Sequence, residues 1–238
     1  MNFNDLSSLP GLPESPKGIF KLFNKIIRKL GLQYELTPLP NGRVHMHTVE
    51  QRMNFSLLSM CNLVYNVPGE WAEFGCYNGQ SAMVFQKILD TYKPGSKMML
   101  YDSFVAKYAL QEDVKQNLLN NFKNHGLGEP QLIEGNFFDT VPSNLAAQYS
   151  LVHIDCGVGG DQVLHQKLVE YLLHHIYHRL SKGAILMFMD YHDPSSTIKG
   201  MPINPGVKAA CDHFFTDKPE KVFTLYGNQY SHGFIFKA

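Results

Sequence analysis

The sequence has no surplus of charge of either sign, with 21 Lys and Arg against 21 Asp and Glu in 238 residues. A dedicated nucleic-acid binder needs cations in excess to displace counterions from phosphates, so that class is disfavoured. Long apolar runs are also missing. The longest, such as Ala184 to Met189, fall far short of the roughly 20 residues that span a bilayer, so no transmembrane segment is expected. The opening MNFNDLSSLPGLPESP lacks the basic and apolar regions of a secretory signal. Cysteine is sparse: Cys61, Cys76, Cys156 and Cys211 form no CxxC pair. They read as thiols in a reducing cytoplasm, with no structural zinc site. There is no G-x-S-x-G elbow and no Walker loop, which disfavours an α/β-hydrolase or a P-loop enzyme. Internal repeats and low-complexity tracts are absent too.

What is present is 44% hydrophobic and 12% aromatic residues, enough for the core of one α/β domain. The first 47 residues stand apart as a helical extension, a lid or an oligomer contact, before a domain from 48 to 238. Pro10, Pro13 and Pro16 make a loop-like start. From Lys17 to Leu32, apolar residues recur at helical spacing opposite Lys17, Lys21, Lys25, Arg28 and Lys29. Such a basic amphipathic helix packs on its own domain or a second copy more often than it lies on a membrane surface, the alternative reading.

From Thr48 on, helical and strand-like runs alternate, which predicts a mostly parallel, doubly wound sheet. Helices are expected at Val49–Tyr65, Ser81–Tyr92, Gln111–His125, Asp161–Leu180 and Gly206–Phe215. Strands are expected at Trp71–Phe74, Lys97–Asp102, Gln131–Glu134, Leu151–Asp155 and Ala184–Asp190. Val222–Tyr226 and Gly233–Phe236, joined through Gly227-Asn228, read as an antiparallel hairpin closing the sheet.

The chemistry concentrates where strands end. In VPGEWAEFGCYNGQS, residues 67 to 81, a strand enters a glycine turn that opens a helix, where doubly wound sheets hold ligands. The spacing G-x-x-x-G lacks the G-x-G-x-x-G that a pyrophosphate requires, which disfavours a nicotinamide oxidoreductase. S-adenosylmethionine (SAM) has no phosphate, and Glu73 suits its ammonium group. Asp102, a little over 20 residues on, is placed to accept from ribose hydroxyls. Asp155 and Asp190 each end a long hydrophobic run. On adjacent strands they share an edge, able to act as a base on a hydroxyl or to hold Mg²⁺. His192 and Asp193 follow directly and are placed to touch a substrate. His174 and His178 lack the intervening glutamate of a zinc motif and are expected to line solvent or a subunit contact.

From Thr48 to about Phe214 the chain resembles the macrocin O-methyltransferase family, class I SAM-dependent enzymes that methylate sugar hydroxyls. The matching motifs run in order: VPGEWAEFGCYNGQS, YDSF at 101, GNFFDT at 135, HIDC at 153, DY at 190 and PGVKAACDHF at 205. The resemblance implies a Rossmann-like fold. It implies Thr48, Glu73, Gly75, Gly79 and Ser81 at the methionine end of SAM, with Asp102, Ser103 and Phe104 at the ribose. Phe137, Phe138 and Asp139 then lie at the adenine, and Asp155 is the general base and, with Asp190, a Mg²⁺ ligand. Two positions depart from the family: Met189 and Gly157 stand where it has aspartates. A thioether is a poor ligand for a hard cation, which weakens the case for a metal. The expected protein is thus a cytoplasmic, homo-oligomeric O-methyltransferase acting on a sugar-bearing or other small-molecule acceptor. A SAM-binding protein without catalysis is the rival reading.

Overall fold

The structure is a computed structural model that describes residues 18–31, 49–105, 113–157, 161–192, 204–227 and 230–238. Seven strands form one sheet in the order β3-β2-β1-β4-β5-β7-β6. They are β1 (Glu70–Phe74), β2 (Met98–Asp102), β3 (Gln131–Glu134), β4 (Tyr149–Ile154), β5 (Leu180–Phe188), β6 (Phe223–Gly227) and β7 (Tyr230–Phe236). The first five are parallel, and β7 joins antiparallel to both β5 and β6. The expected hairpin is therefore present, and its turn residues 228–229 lie outside the described residues. Central β4 is buried along its whole length, Ser150 and His153 included, which is why it shows no alternation of apolar and solvent-facing positions.

The helices are α1 (Ile19–Lys29), α2 (Val49–Val64), α3 (Gln80–Tyr92), α4 (Val114–Asn124), α5 (Phe137–Thr140), α6 (Gln162–Ile176) and α7 (Pro205–Phe214). Two cores flank the sheet. On one face Trp71, Leu100, Leu151 and Met187 pack under Phe55 and Leu58 of α2 and Phe85 and Ile88 of α3. On the other, Phe74, Val152 and Phe188 meet Val169, Leu172 and Ile176 of α6 and Val207 of α7. Period-two alternation along each strand assigns the faces.

Several boundaries differ from the sequence expectation. β5 starts at Leu180 and stops at Phe188, so Met189 and Asp190 sit in a turn beyond it. Likewise Asp155 lies one residue past β4. Helix α6 ends at Ile176 in a short 3₁₀ turn, Tyr177–Arg179, so His174 and His178 are not on one continuous helix face. Asp161 caps α6, accepting from the Leu164 N–H at 2.9 Å. Asp113 caps α4 likewise, through Gln116 N–H. Each cap satisfies a donor that the first helical turn leaves unpaired. Short α5 was not expected at all. All four cysteines are free, with Cys76 and Cys211 buried. Among the described residues no helix is long and apolar enough to cross a membrane.

Candidate active site

Backbone bonding does not stop where the strands do. The Gly75 N–H donates to the Tyr101 carbonyl at 2.8 Å and Gly135 N–H to Asp102 at 3.0 Å; Asp155 N–H reaches Phe74, and Met189 N–H reaches Ile154, both at 2.9 Å. The loops leaving β1, β3, β4 and β5 are thus tied to neighbouring strands, and they form one edge at the carboxyl ends of the sheet. That edge carries unusual backbone. Tyr77, Phe104 and Asp190 adopt φ of 44°, 55° and 60°, each costing on the order of 1–3 kcal/mol that surrounding bonds must hold. Strain of this kind collects at binding edges more than in scaffolds.

Asp102 organises the first two loops. Its Oδ2 accepts from the N–H groups of Cys76 and Tyr77, both at 2.9 Å, and its Oδ1 from Phe104 N–H at 2.8 Å. A carboxylate offers about four acceptor positions, so roughly one remains for a hydroxyl. Ser103 beside it is half-buried, whereas the Phe104 side chain belongs to the core. Phe104 therefore contributes its amide, not a wall for a ligand. At the β3 exit, Asn136 caps α5 by accepting from Phe138 N–H at 2.9 Å. Phe137 packs edge-on to Phe74, while half-exposed Phe138 meets the Tyr171 ring at 4.6 Å. Asp139 is exposed in the same turn.

Under the β1 turn lies a buried polar pair that motif reading left without a role for one partner. Glu73 and His153 are register neighbours on β1 and β4, and their side chains are fully buried with Oε1 and Nδ1 2.6 Å apart. Ser81 Oγ donates to the same Oε1 at 2.5 Å. Phe55 and Phe85 rings flank the imidazole at 4.9 and 5.6 Å. The other heteroatoms, Glu73 Oε2 and His153 Nε2, have no hydrogen-bond partner among the described residues. An unpaired carboxylate oxygen in such surroundings is expensive. The signal that could have found His153 is its i, i+2 relation to Asp155 together with the parallel register opposite Glu73.

Asp155 is half-buried beside Asp190. Burial pushes the Asp155 carboxyl well above the usual carboxylate range, and the charges of Asp190, Glu73 and Asp102 push it further. Burial also raises Asp190, partly offset by the Asn204 amide, which donates to its Oδ2 at 2.5 Å, and by His165 and His153. Buried His165 is held below the ordinary imidazole value, chiefly by loss of solvent. Asn204 and His165 escaped sequence reading because neither sits in a spacing that points to an aspartate some 14 or more residues away. Buried His192 follows in the same loop; Asp193 and Thr48 lie outside the described residues.

Whether Mg²⁺ fits can be judged from the donors. Met189 turns its sulfur to His232 Nε2 at 3.0 Å, with Gln51 Nε2 at 3.9 Å. One Asp190 oxygen is taken by Asn204. Glu73, His153 and Asp155 also bring donor atoms within 4.8 Å of one another, but one of the three donors is an imidazole nitrogen, which suits softer metals than Mg²⁺. A hard cation wants several free oxygens in near-octahedral geometry, and neither arrangement supplies them. The residues present do not fit a Mg²⁺ site. A methyl-donor cofactor with an ammonium and a ribose fits better: Glu73 Oε2 is a buried oxygen with no partner among the described residues, Asp102 keeps an acceptor position, and the N-terminus of α3 at Gly79 has no side-chain cap.

A family model described as a methyltransferase domain matches residues 72–191, which span β1 through the loop after β5. No curated protein matches the chain. Among solved structures, the O-methyltransferase NovP is 15% identical with a TM-score of 0.63, over 82% of this chain and 83% of that one. The Podospora anserina methyltransferase PaMTH1, in a structure bound to SAH, is 14% identical with a TM-score of 0.60, over 95% of this chain and all of that one. At these identities the likeness concerns the fold.

Proposed function

The chain belongs to this methyltransferase domain family, and we propose that it is a SAM-dependent O-methyltransferase acting on a sugar hydroxyl of a glycosylated natural product or polysaccharide precursor, with Asp155 as general base. The observation that carries the reading is the position of Asp155. It is a carboxylate with a raised pKa, tied through its backbone to the last residue of β1, on the edge where Asp102 and Glu73 offer cofactor contacts. NovP, of similar fold, is an O-methyltransferase, and PaMTH1 was seen with SAH.

When bound, SAM supplies an electrophilic methyl group on a sulfonium. Glu73 Oε2 is the acceptor for its ammonium, and Asp102 accepts from the ribose. Ser103, with Phe137, Phe138 and Asp139, borders the ribose and adenine side. Asp155 takes the acceptor's hydroxyl proton as the oxygen–carbon bond forms and the carbon–sulfur bond breaks. A carboxyl held above the ordinary carboxylate range by burial and by neighbouring charges is, once ionised, a stronger base than an ordinary aspartate. Holding donor methyl and hydroxyl in line supplies the rest, since orientation alone can remove much of a bimolecular barrier. His192 borders the acceptor side, Asp193 is the next candidate for acceptor binding by sequence, and the chain works as a homo-oligomer in the cytoplasm.

The test is incubation with SAM and a panel of nucleotide sugars, glycosides, small phenols and acids, read by mass spectrometry for gain of one methyl. Sugar-specific methylation supports the reading; methylation confined to phenols or acids moves the acceptor class. A second reading, SAM binding without turnover, is favoured by Met189 standing at the edge in place of an oxygen donor. Calorimetric SAM binding with no product from any acceptor selects it.

A further inference from the structure

We propose that α1 is a peripheral anchor that seats the protein on an anionic lipid surface. The helix bears Ile19, Leu22, Phe23, Ile26 and Leu30 on one stripe, and these are 63%, 59%, 47%, 45% and 68% exposed. Its inward side is a different one: Asn24 is buried and Ile27 half-buried. Leaving five large apolar side chains in water along a helix of about 16 Å is unfavourable unless something covers them.

Charge selects the occupant. Lys21, Lys25 and Lys29 stand four residues apart, all exposed, along one flank of the stripe. No acid lies between Glu14 and Glu35. Residues 17–29 hold five of the 21 basic residues and none of the 21 acidic ones, leaving sixteen against 21 in the rest of the chain. The segment is therefore a cationic pole on an otherwise acidic protein. A second copy laid helix to helix against it would bring like charges together. An anionic bilayer offers an apolar boundary for the stripe and phosphates or carboxylates for the lysine row. Both features run the length of the helix, as an in-plane orientation requires, whereas a local acidic pocket on a protein would engage only one end.

The experiment is co-sedimentation of the full chain with vesicles of phosphatidylcholine alone and with phosphatidylserine added, at low and high salt. Binding to the phosphatidylserine vesicles, weakened by salt, is expected. Lys21→Gln with Lys25→Gln should weaken it roughly 30-fold, from about 1 kcal/mol per basic residue near an anionic surface. Leu22→Ser with Phe23→Ser should abolish it. All four positions are exposed, so melting temperature should be unchanged and serves as the folding control. Equal binding to neutral vesicles, no binding to either, or concentration-dependent self-association removed by the same substitutions without vesicle binding would each overturn the proposal. Because the readout is sedimentation, the result is independent of whether the methyltransferase reading stands.

Discussion

Gly75 and Asp155 are packed backbone to backbone. At Gly75, φ is +84°, and a Cβ built there stands 2.7 Å from the Asp155 carbonyl carbon and 2.9 Å from Cys156 Cα. The turn that would carry the cofactor and the strand exit that carries the base are thus in contact through the one residue type that permits it. Gly75→Ala should destabilise by more than about 4 kcal/mol, since backbone cannot yield as a side chain does. Gly95→Ala is the control. It shares a positive φ of +90° with nothing within 4 Å, so it should cost only about 1–2 kcal/mol. Denaturant unfolding of both variants measures the difference; equal losses would mean the close approach is absent.

The Glu73–His153 pair should behave as a coupled buried polar pair, in which removing one partner is worse than removing both. His153→Leu leaves a buried carboxylate supported by Ser81 alone and should cost about 3–5 kcal/mol. Adding Glu73→Gln should recover a large part of that loss. A double-mutant cycle checks the coupling, and simple additivity would contradict it.

Asp155 and Asp190 predict a pH profile. The base must be ionised, so turnover should fall as pH drops through the raised pKa of Asp155, with the acid limb above the ordinary carboxylate range. Asp190→Asn removes one of the charges holding Asp155 up, so the limb should move to lower pH. Stability follows the opposite course. The folded state binds protons that the unfolded chain has released, so stability should decline as pH rises from the unfolded value to the folded one. An acid limb unmoved by Asp190→Asn would contradict the assignment.

The two aspartates were legible in the sequence because each terminates a buried apolar run, and the parallel sheet follows from the alternation of such runs with amphipathic ones. Other features were not. Four-residue α5 is too short for a helical period to register, and its Asn136 cap looks like any turn residue. The early start of β5 was hidden because Ser181-Lys182-Gly183 has the composition of a loop. Glu73 was picked out, but its partner required the register between β1 and β4, which no single strand encodes. Phe104 was expected at the ribose, yet its side chain faces the core, because a positive φ turns it away from the direction an extended chain would give.

Met189 makes metal dependence testable. With its sulfur against His232 and one Asp190 oxygen held by Asn204, turnover should be unchanged by EDTA. Met189→Asp would add a third carboxylate to the edge and should give thermal melts that rise with Mg²⁺, which the parent protein lacks. Loss of parent turnover in EDTA, restored by Mg²⁺, would contradict this.

The most direct measurement is Asp155→Asn, assayed for methyl transfer and, by calorimetry, for SAM binding. The substitution keeps size and backbone but cannot take up a proton. Turnover should fall at least about a hundredfold, the lower range for loss of a general base, with SAM affinity within a few-fold of the parent. Turnover that survives, or SAM binding lost together with it, would contradict the assignment of Asp155 as the base.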